Sequence, residues 1–297
     1  MDDGHFPSGR ANSWTLRTRK LAIGARPLLM GIVNVTPDSF SDGGSFVDPA
    51  AAVAHGVELI RQGADLLDIG GESTRPYSTP VPLSEELRRV LPVIHGLRDA
   101  VDVPLSVDTS KPEVARQALD AGVEIVNDVT GLENDQMLNV AIDCQAGICV
   151  MHMQGTPQTM QDSPTYGSVV DDVIDYLRKR RDTLQKRGIE LDRICLDPGI
   201  GFGKTHEHNL TLLANGFQLH QLACPILVGH SRKGFIARIL KDKQADRTAG
   251  TIGVALSLAR QGVQLIRVHD VEPVREALLL FEATGGMLSS DASQTLS

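Results

Sequence analysis

Several ingredients are scarce in this chain of 297 residues. Aromatic side chains make up only 4% of it, so a packed core must consist mainly of valine, isoleucine, leucine and alanine. Basic residues are outnumbered, and the formal net charge of −8 argues against a general nucleic-acid binder, which needs a clustered basic face. No apolar stretch approaches the roughly 20 residues that a transmembrane helix needs, so we predict no membrane span.

Cysteine is also scarce. The four cysteines, Cys144, Cys149, Cys195 and Cys224, show no metal-ligand spacing, which favours reduced, buried thiols in a cytosolic protein. The first 12 residues are polar and lack an apolar core, so we predict no secretory signal. We therefore expect a cytoplasmic location.

The chain does contain eight short apolar runs that each end in a polar residue. Runs of this length are typical of fully buried parallel strands. The polar ends include Asn34, Asp68, Asp108, Asn127, His152, Asp197, His230 and Arg267. Helical signals alternate with these runs, which predicts an α/β fold of the (β/α)8 TIM-barrel type, with the polar ends collected on the rim that carries the chemistry.

The length fits one barrel of about 250 residues with short extensions. We predict the barrel over residues 28–286, an N-terminal extension over 1–27 and a flexible tail over 287–297. Alternation over 14–23 favours a hairpin at the bottom of the barrel. The first helix is expected to start near the Asp48-Pro49 pair, and Ser84 is expected to cap the second.

Three of the strand ends carry Asp108, Asn127 and Asp197. A carboxylate accepts two parallel N–H groups, and an asparagine supplies both a donor and an acceptor. Together they suit a heterocycle with amidine-like N–H groups, such as a 2-amino-4-oxo pyrimidine ring. Each residue alone is equally well explained as a cap of the following helix, and Asp108 especially so.

Cations collect at the same rim. Arg75 follows the second predicted strand beside hydroxyl groups, and Arg232 and Lys233 open a helix after the seventh. Because cations at a helix N-terminus oppose the macrodipole, a bound anion would explain them. Arg267 and His269 follow at the end of the last strand.

Two other readings of these motifs are weaker. Residues 197–205 end in Gly-Lys-Thr like a P-loop, but Pro198 stands where that motif needs glycine. Histidines at strand ends (His152, His230 and His269) raise a metal-hydrolase reading, which we rate well below the others. The loop over 34–44, rich in turn formers, is either a mobile lid or an ordinary surface loop.

Taken together, the motifs resemble the dihydropteroate synthase family over nearly all of residues 28–285. They lie at 30–44, 70–76, 106–109, 127–129, 151–153, 197–204, 231–233 and 267–270. The resemblance implies a TIM-barrel transferase that joins 6-hydroxymethyl-7,8-dihydropterin diphosphate to p-aminobenzoate, releasing diphosphate. It also implies small-molecule substrates, Mg²⁺ as cofactor, and a homodimer.

The resemblance further implies a role for each matching residue. The pterin ring would be held by Asp108, Asn127, Met151, Asp197 and Lys233. The diphosphate would be bound by Thr74, Arg75, Arg267 and His269. The p-aminobenzoate pocket would be formed by Phe40, Pro76, Phe202 and Lys233, and Asn34 would ligate Mg²⁺.

One position departs from the family pattern, because Gly234 stands where many members have a serine that helps to hold the p-aminobenzoate carboxylate. Two alternatives stay open beside the synthase. One is a pterin-binding barrel that transfers a methyl group from methyltetrahydrofolate, although it has no use for a diphosphate clamp. The other is a non-catalytic pterin-binding paralogue.

Overall fold

A computed structural model of the chain describes residues 6–36 and 48–288. A short antiparallel hairpin precedes eight parallel strands that alternate with helices. The hairpin strands are β1 (Ser13–Thr15) and β2 (Lys20–Ala22). The parallel strands are β3 (Leu28–Asn34), β4 (Leu66–Gly70), β5 (Leu105–Asp108), β6 (Ile125–Asp128), β7 (Gly147–Met151), β8 (Ile194–Asp197), β9 (Leu227–Val228) and β10 (Leu265–Val268).

The helices surround this sheet. They are α1 (Pro49–Arg61), α2 (Leu83–Ala100), α3 (Pro112–Asp120), α4 (Asp135–Asp143), α5 (Val169–Lys186), α6 (His206–Ala214), α7 (Gly234–Leu240), α8 (Thr248–Arg260) and α9 (Val271–Ala283). Two 3₁₀ turns cover Leu191–Arg193 and Gly216–Leu222. Within the described ranges, no helix is long and apolar enough to cross a bilayer.

The eight parallel strands close into a barrel. The ladder runs in the order β8-β7-β6-β5-β4-β3-β10-β9. A parallel bridge between Leu196 and Ile226 joins its two ends, and the amide of Leu196 donates to the carbonyl of Pro225 at 2.9 Å. The predicted TIM barrel is therefore confirmed, together with the short N-terminal hairpin.

Side chains that point into the barrel change character along each strand. The lower inward positions join one apolar cluster that includes Leu66, Ile125, Cys149, Cys195 and Leu265. Because strand side chains alternate with a period of two, the residue two places later also points inward. Those upper positions carry Asp68, Asn127, Met151, Asp197 and Arg267, and on β5 Ser106 is followed in the same way by Asp108. The barrel thus has an apolar floor and a polar mouth.

The hairpin lies against the apolar floor. Trp14 and Leu16 are buried in the same cluster as the lower barrel residues. The indole of Trp14 donates to the carbonyl of Arg193 at 3.0 Å. A Cβ on Gly147 would lie 2.8 Å from Leu16, so the lower edge of β7 is fitted to the hairpin.

Of the two predicted helix starts, one is confirmed. α1 begins at Pro49, as predicted, and Asp48 caps it by accepting the amide of Ala50 at 2.9 Å. The prediction for Ser84 was wrong: α2 begins at Leu83 after Pro82, which makes no side-chain cap. Proline before the helix fixes the entry of the chain, so the serine falls within the first turn.

We predict that the hairpin stabilises the whole barrel. Leu16→Ala removes a side chain that is 1% exposed, so the free energy of unfolding should fall by about 2–5 kcal/mol. The matched change Leu280→Ala, at a side chain that is 68% exposed, should change it by less than about 0.5 kcal/mol. Urea denaturation measures both. Equal effects would show that the hairpin adds nothing to barrel stability.

Candidate active site

The polar mouth is organised around one guanidinium. Arg267, inward on β10, donates from Nε to Asp68 at 2.6 Å and from Nη2 to Asp108 at 2.9 Å. Asn127 donates its side-chain amide to the same oxygen of Asp68 at 3.0 Å. Four neighbouring side chains from β4, β5, β6 and β10 are therefore joined in one hydrogen-bonded group.

Asp108 and Asn127 are not helix caps. The N-cap of α3 is Lys111, which makes no side-chain cap, and the Asn127 amide bonds Asp68 inside the barrel. Burial, and then the neighbouring carboxylate of Asp68, raises the pKa of Asp108 to about 7. The structure therefore removes the helix-cap explanation for these two residues and leaves the explanation as a site.

Asp197 and Lys233 lie on the opposite side of the mouth. Asp197 accepts the amide of Gly199 at 2.7 Å, and burial raises the pKa of its carboxyl. Lys233 donates to the carbonyl of Ile200, and burial lowers the pKa of its ammonium to about 8. Gly199 is required here, because its φ is 68° and a Cβ would meet the His152 carbonyl at 1.9 Å.

The loop after β8 is held by a buried lysine. Lys204 is 2% exposed, and its ammonium contacts Nδ1 of His152 at 2.9 Å and the carbonyl of Phe202 at 2.9 Å. Burial, and then the charge of Lys204, lowers the pKa of His152 to about 3, so its ring is neutral and can accept this bond. The ring centre of Phe202 lies 4.8 Å from Nζ of Lys233, which stands over the ring face. The glycine-rich segment is thus a fixed wall of the mouth and binds no phosphate through its lysine.

A second loop, over residues 71–81, borders the mouth from the other side. Its base is anchored by Lys111, which pairs with Glu72 of the loop and with the buried Glu86 of α2. Thr74, Arg75 and Pro76 follow on the loop. The backbone of Arg75 bonds Ser73 and Ser78, whereas its exposed side chain makes no hydrogen bond or ion pair with any residue of the described ranges.

His269 lies close to this loop. Its ring and its backbone amide contact the hydroxyl of Ser231 at 3.0 and 3.2 Å. Burial, and then the positive charges of Arg267, Arg232 and Arg75, lowers the pKa of His269 to about 4. His269 and Arg232 also line a cavity of about 300 Å³ between α1 and α9. Arg232 itself pairs with Asp270, which also lines this cavity. The side chain of Arg75 has no acidic partner among the described residues, so an anion is best suited to this edge near Arg75.

A zinc site finds no support at the strand ends. Across residues 6–36 and 48–288, no three His, Cys, Asp or Glu side chains lie together in a way that could hold a metal ion. His152 contacts Lys204, and His230 contacts the carbonyl of Thr251 at 2.9 Å. His208 belongs to the capping box of α6.

Asn34 fits a magnesium ion. It ends β3 on an inward position, two residues past Ile32, and is half-buried. Its side chain bonds nothing else in the part of the chain that the structure describes. A free amide oxygen at the mouth suits Mg²⁺, which takes one or two protein oxygens and keeps its remaining positions for water and substrate phosphates.

Most of the predicted site residues therefore surround one mouth. Phe40 and residues 37–44 of the predicted lid lie outside the described residues. Sequence reasoning missed Asp68 and Lys204 as parts of the site. Asp68 ends one of the eight apolar runs, and this position could have singled it out. The burial of Lys204 was concealed by its place in a P-loop-like motif.

Comparisons with known proteins point in one direction. The family model described as pterin binding enzyme matches residues 30–269. Dihydropteroate synthase of Escherichia coli is 43% identical over 260 residues, covering 88% of this chain and 92% of that protein. Two Xanthomonas albilineans dihydropteroate synthase structures each cover 92% of this chain and 98% of theirs. The one with 4-aminobenzoic acid is 44% identical with a TM-score of 0.85. The one with 7,8-dihydropteroate is 42% identical with a TM-score of 0.82.

The burial of Lys204 predicts a pH-dependent stability. Burial lowers its pKa from 10.5 to about 7 on folding. Between these values the unfolded chain binds more protons, so the contribution of Lys204 to stability rises with pH. From about pH 7 to about pH 9, the free energy of unfolding of the wild type relative to Lys204→Met should therefore rise, by at most about 1.4 kcal/mol per pH unit.

Urea denaturation of both proteins across this range measures the difference. Lys179→Met, at an exposed position of α5, controls for the loss of a lysine at the surface. A difference between wild type and Lys204→Met that is flat with pH would contradict the prediction.

Proposed function

Since this chain belongs to the dihydropteroate synthase family, we propose that the polar mouth of its barrel is where pterin diphosphate and p-aminobenzoate are joined. The protein is a transferase that forms 7,8-dihydropteroate for folate biosynthesis. The observation that carries the placement is the ring of inward polar side chains above the apolar floor. That ring has three carboxylates and an amide beside an arginine.

The pterin ring would be recognised by Asp108, Asn127 and Asp197. Their side chains come from β5, β6 and β8 and point into the same space, which suits the donors and acceptors along one edge of a 2-amino-4-oxo pyrimidine ring. Met151, 4% exposed on β7, offers an apolar surface beside Asn127 and Asp197. Lys233 adds a donor from the far side.

The diphosphate would be bound at the edge of the mouth that contains Arg267, His269 and Arg75. Thr74 would add a hydroxyl at the same edge. Arg267 is the innermost, so we assign it to the oxygen that carries the charge as the leaving group departs. Asn34 would hold Mg²⁺, which when bound supplies further neutralisation of the phosphate charge.

The arrangement favours a dissociative substitution. The bond between the pterin methylene carbon and the diphosphate oxygen breaks first, and its electron pair leaves with the diphosphate. The remaining pterin cation lies against the carboxylates of Asp108 and Asp197, which favour its charge. The neutral amine of p-aminobenzoate then attacks the carbon and afterwards loses a proton. Because the amine attacks while neutral, no strong general base is needed.

The p-aminobenzoate would lie on the outer side of the mouth. Phe202, Pro76 and the predicted Phe40 would enclose its ring, and Lys233 lies 4.8 Å from the Phe202 ring centre. The first turn of α7, which begins at Gly234, follows directly. Free amides at that helix start would bind the carboxylate. A homodimer, which the resemblance implies, and a cytoplasmic location, which the cysteines and the polar first residues favour, both remain predictions.

Purified protein tests the proposed function directly. With both substrates and Mg²⁺, we expect mass spectrometry to detect 7,8-dihydropteroate and a matching amount of diphosphate. Pterin binding without any product would favour a non-catalytic paralogue. Methyl transfer from methyltetrahydrofolate would favour the methyltransferase.

Arg267→Ala should lower kcat far more than it weakens binding of free pterin, because the arginine acts on the leaving group. An unchanged kcat in this variant would refute the role given to Arg267.

Gly234 provides a separate test of the p-aminobenzoate site. A Cβ at this exposed position meets no atom within 4 Å, so Gly234→Ser should fold normally. The added hydroxyl can donate to the substrate carboxylate, which predicts a KM for p-aminobenzoate lowered by up to about tenfold with little change in kcat. Gly24→Ser, which also meets open space but lies at the bottom of the barrel, is the control. An unchanged KM in Gly234→Ser would discard this placement of the carboxylate.

A further inference from the structure

Asp68 is a buried carboxylate that the proposed reaction does not use. It is fully buried on β4. One oxygen receives two hydrogen bonds, from Nε of Arg267 at 2.6 Å and from the amide of Asn127 at 3.0 Å. The other oxygen, also buried, has no partner among the described residues.

Such a group is poorly explained by stability. Burying a charge is costly, and an apolar side chain of similar volume often stabilises as well as a buried ion pair. A buried oxygen without a partner adds a further cost. What Asp68 does achieve is contact with two residues of the proposed site at once, Arg267 toward the diphosphate and Asn127 toward the pterin ring.

Asp68 and Asp108 hold Arg267 in different ways. The Asp108 side chain is 11% exposed, and in the proposed function its oxygens accept the pterin. Its bond to Arg267 must therefore be shared with the ligand or given up. The Asp68 side chain has no exposed surface, so a ligand in the mouth does not compete for its bond to Arg267.

We propose that Asp68 is the positioning residue for Arg267, keeping the guanidinium aimed at the leaving group while the pterin occupies Asp108. This inference rests on the proposed function. Asp68 does not touch the substrate in this scheme. It acts through Arg267 and, to a lesser degree, through Asn127.

The charge of Asp68 also acts on Asp108. The charged groups facing Asp108 are Asp68 from β4, Arg267 from β10, Glu86 from α2 and Asp128 from β6. After burial, the Asp68 charge is the largest influence that raises the pKa of Asp108. Removing it should lower that pKa, and a released Arg267 pairing fully with Asp108 acts in the same direction.

The test compares wild type with Asp68→Asn. With Arg267 less well placed, kcat should fall by about ten- to a hundredfold. Binding of 6-hydroxymethylpterin without its diphosphate, measured by calorimetry, should change by less than about threefold. If the acidic limb of the pH profile of kcat/KM for the pterin diphosphate reports the ionisation of Asp108, the lower pKa of Asp108 should move this limb to lower pH. A purely structural effect would not produce that shift.

Glu124→Gln is the matched control, because Glu124 is also a buried carboxylate paired with an arginine, Arg19, but lies just before β6 at the lower end of the barrel. The hydroxyl of Thr18 also donates to it, at 2.6 Å. Its substitution should lower stability without moving the acidic limb. A double-mutant cycle with Arg267→Lys adds a second measurement, since Asp68→Asn should cost little more kcat once Arg267 is already replaced.

Three results would overturn the proposal. They are an unchanged kcat in Asp68→Asn, independent effects of the two substitutions in the cycle, or loss of 6-hydroxymethylpterin binding, which would show that Asp68 serves the pterin site, for example through Asn127, rather than Arg267. If Asp68→Asn does not fold, Asp68→Glu keeps the charge and should lower kcat without moving the acidic limb. Absence of product from the wild type would instead refute the proposed function.

Discussion

Alternation along the barrel strands is the constraint on which the rest of this molecule depends. An inward residue is followed by the next inward residue two places on, one layer higher. In this chain the lower inward residues are the apolar Leu66, Ile125 and Leu265. The next inward residues on the same strands are the polar Asp68, Asn127 and Arg267. The polar mouth therefore stands directly on an apolar floor, without any intervening segment. The hairpin completes that floor from below, so groups far from the chemistry hold the strands that carry it.

Charge balance is the second consequence of this arrangement. The mouth buries the carboxylates of Asp68, Asp108 and Asp197 with the cations Arg267, Lys233 and Lys204. Burial raises the pKa of Asp108 and Asp197 and lowers that of Lys233 and Lys204, and opposite charges nearby counteract it. The pKa of Asp108 is about 7 and that of Lys233 about 8, so a bound ligand can alter the ionisation of both. In the proposed reaction a cationic pterin intermediate would meet the acids, whereas the departing diphosphate would meet the arginine.

Much of this could be predicted from the sequence, and the reason is local. Strand ends are visible as apolar runs that stop at a polar residue, so Asp108, Asn127 and Asp197 were identified without the structure. The start of α1 was predicted for the same reason, because the signal of Asp48 and Pro49 lies at the helix start itself. The prediction that Ser84 caps α2 was wrong because Pro82 precedes the helix and fixes its start at Leu83. The partners of Arg267 could not be read from its neighbours, since Asp68 lies 199 residues away in the chain.

Lys204 shows why short motifs need their surroundings. Gly-Lys-Thr binds phosphate when the lysine projects into a cradle of backbone amides that follows a strand. Here the loop turns back over β7, and the ammonium is enclosed by the ring and carbonyl of His152 and by the carbonyl of Phe202. The acceptors are neutral and the ammonium is buried, so an anion has no access to it. In this chain the Gly-Lys-Thr sequence therefore anchors the loop after β8 as one wall of the mouth. That loop in turn holds Asp197 and Phe202 toward the mouth.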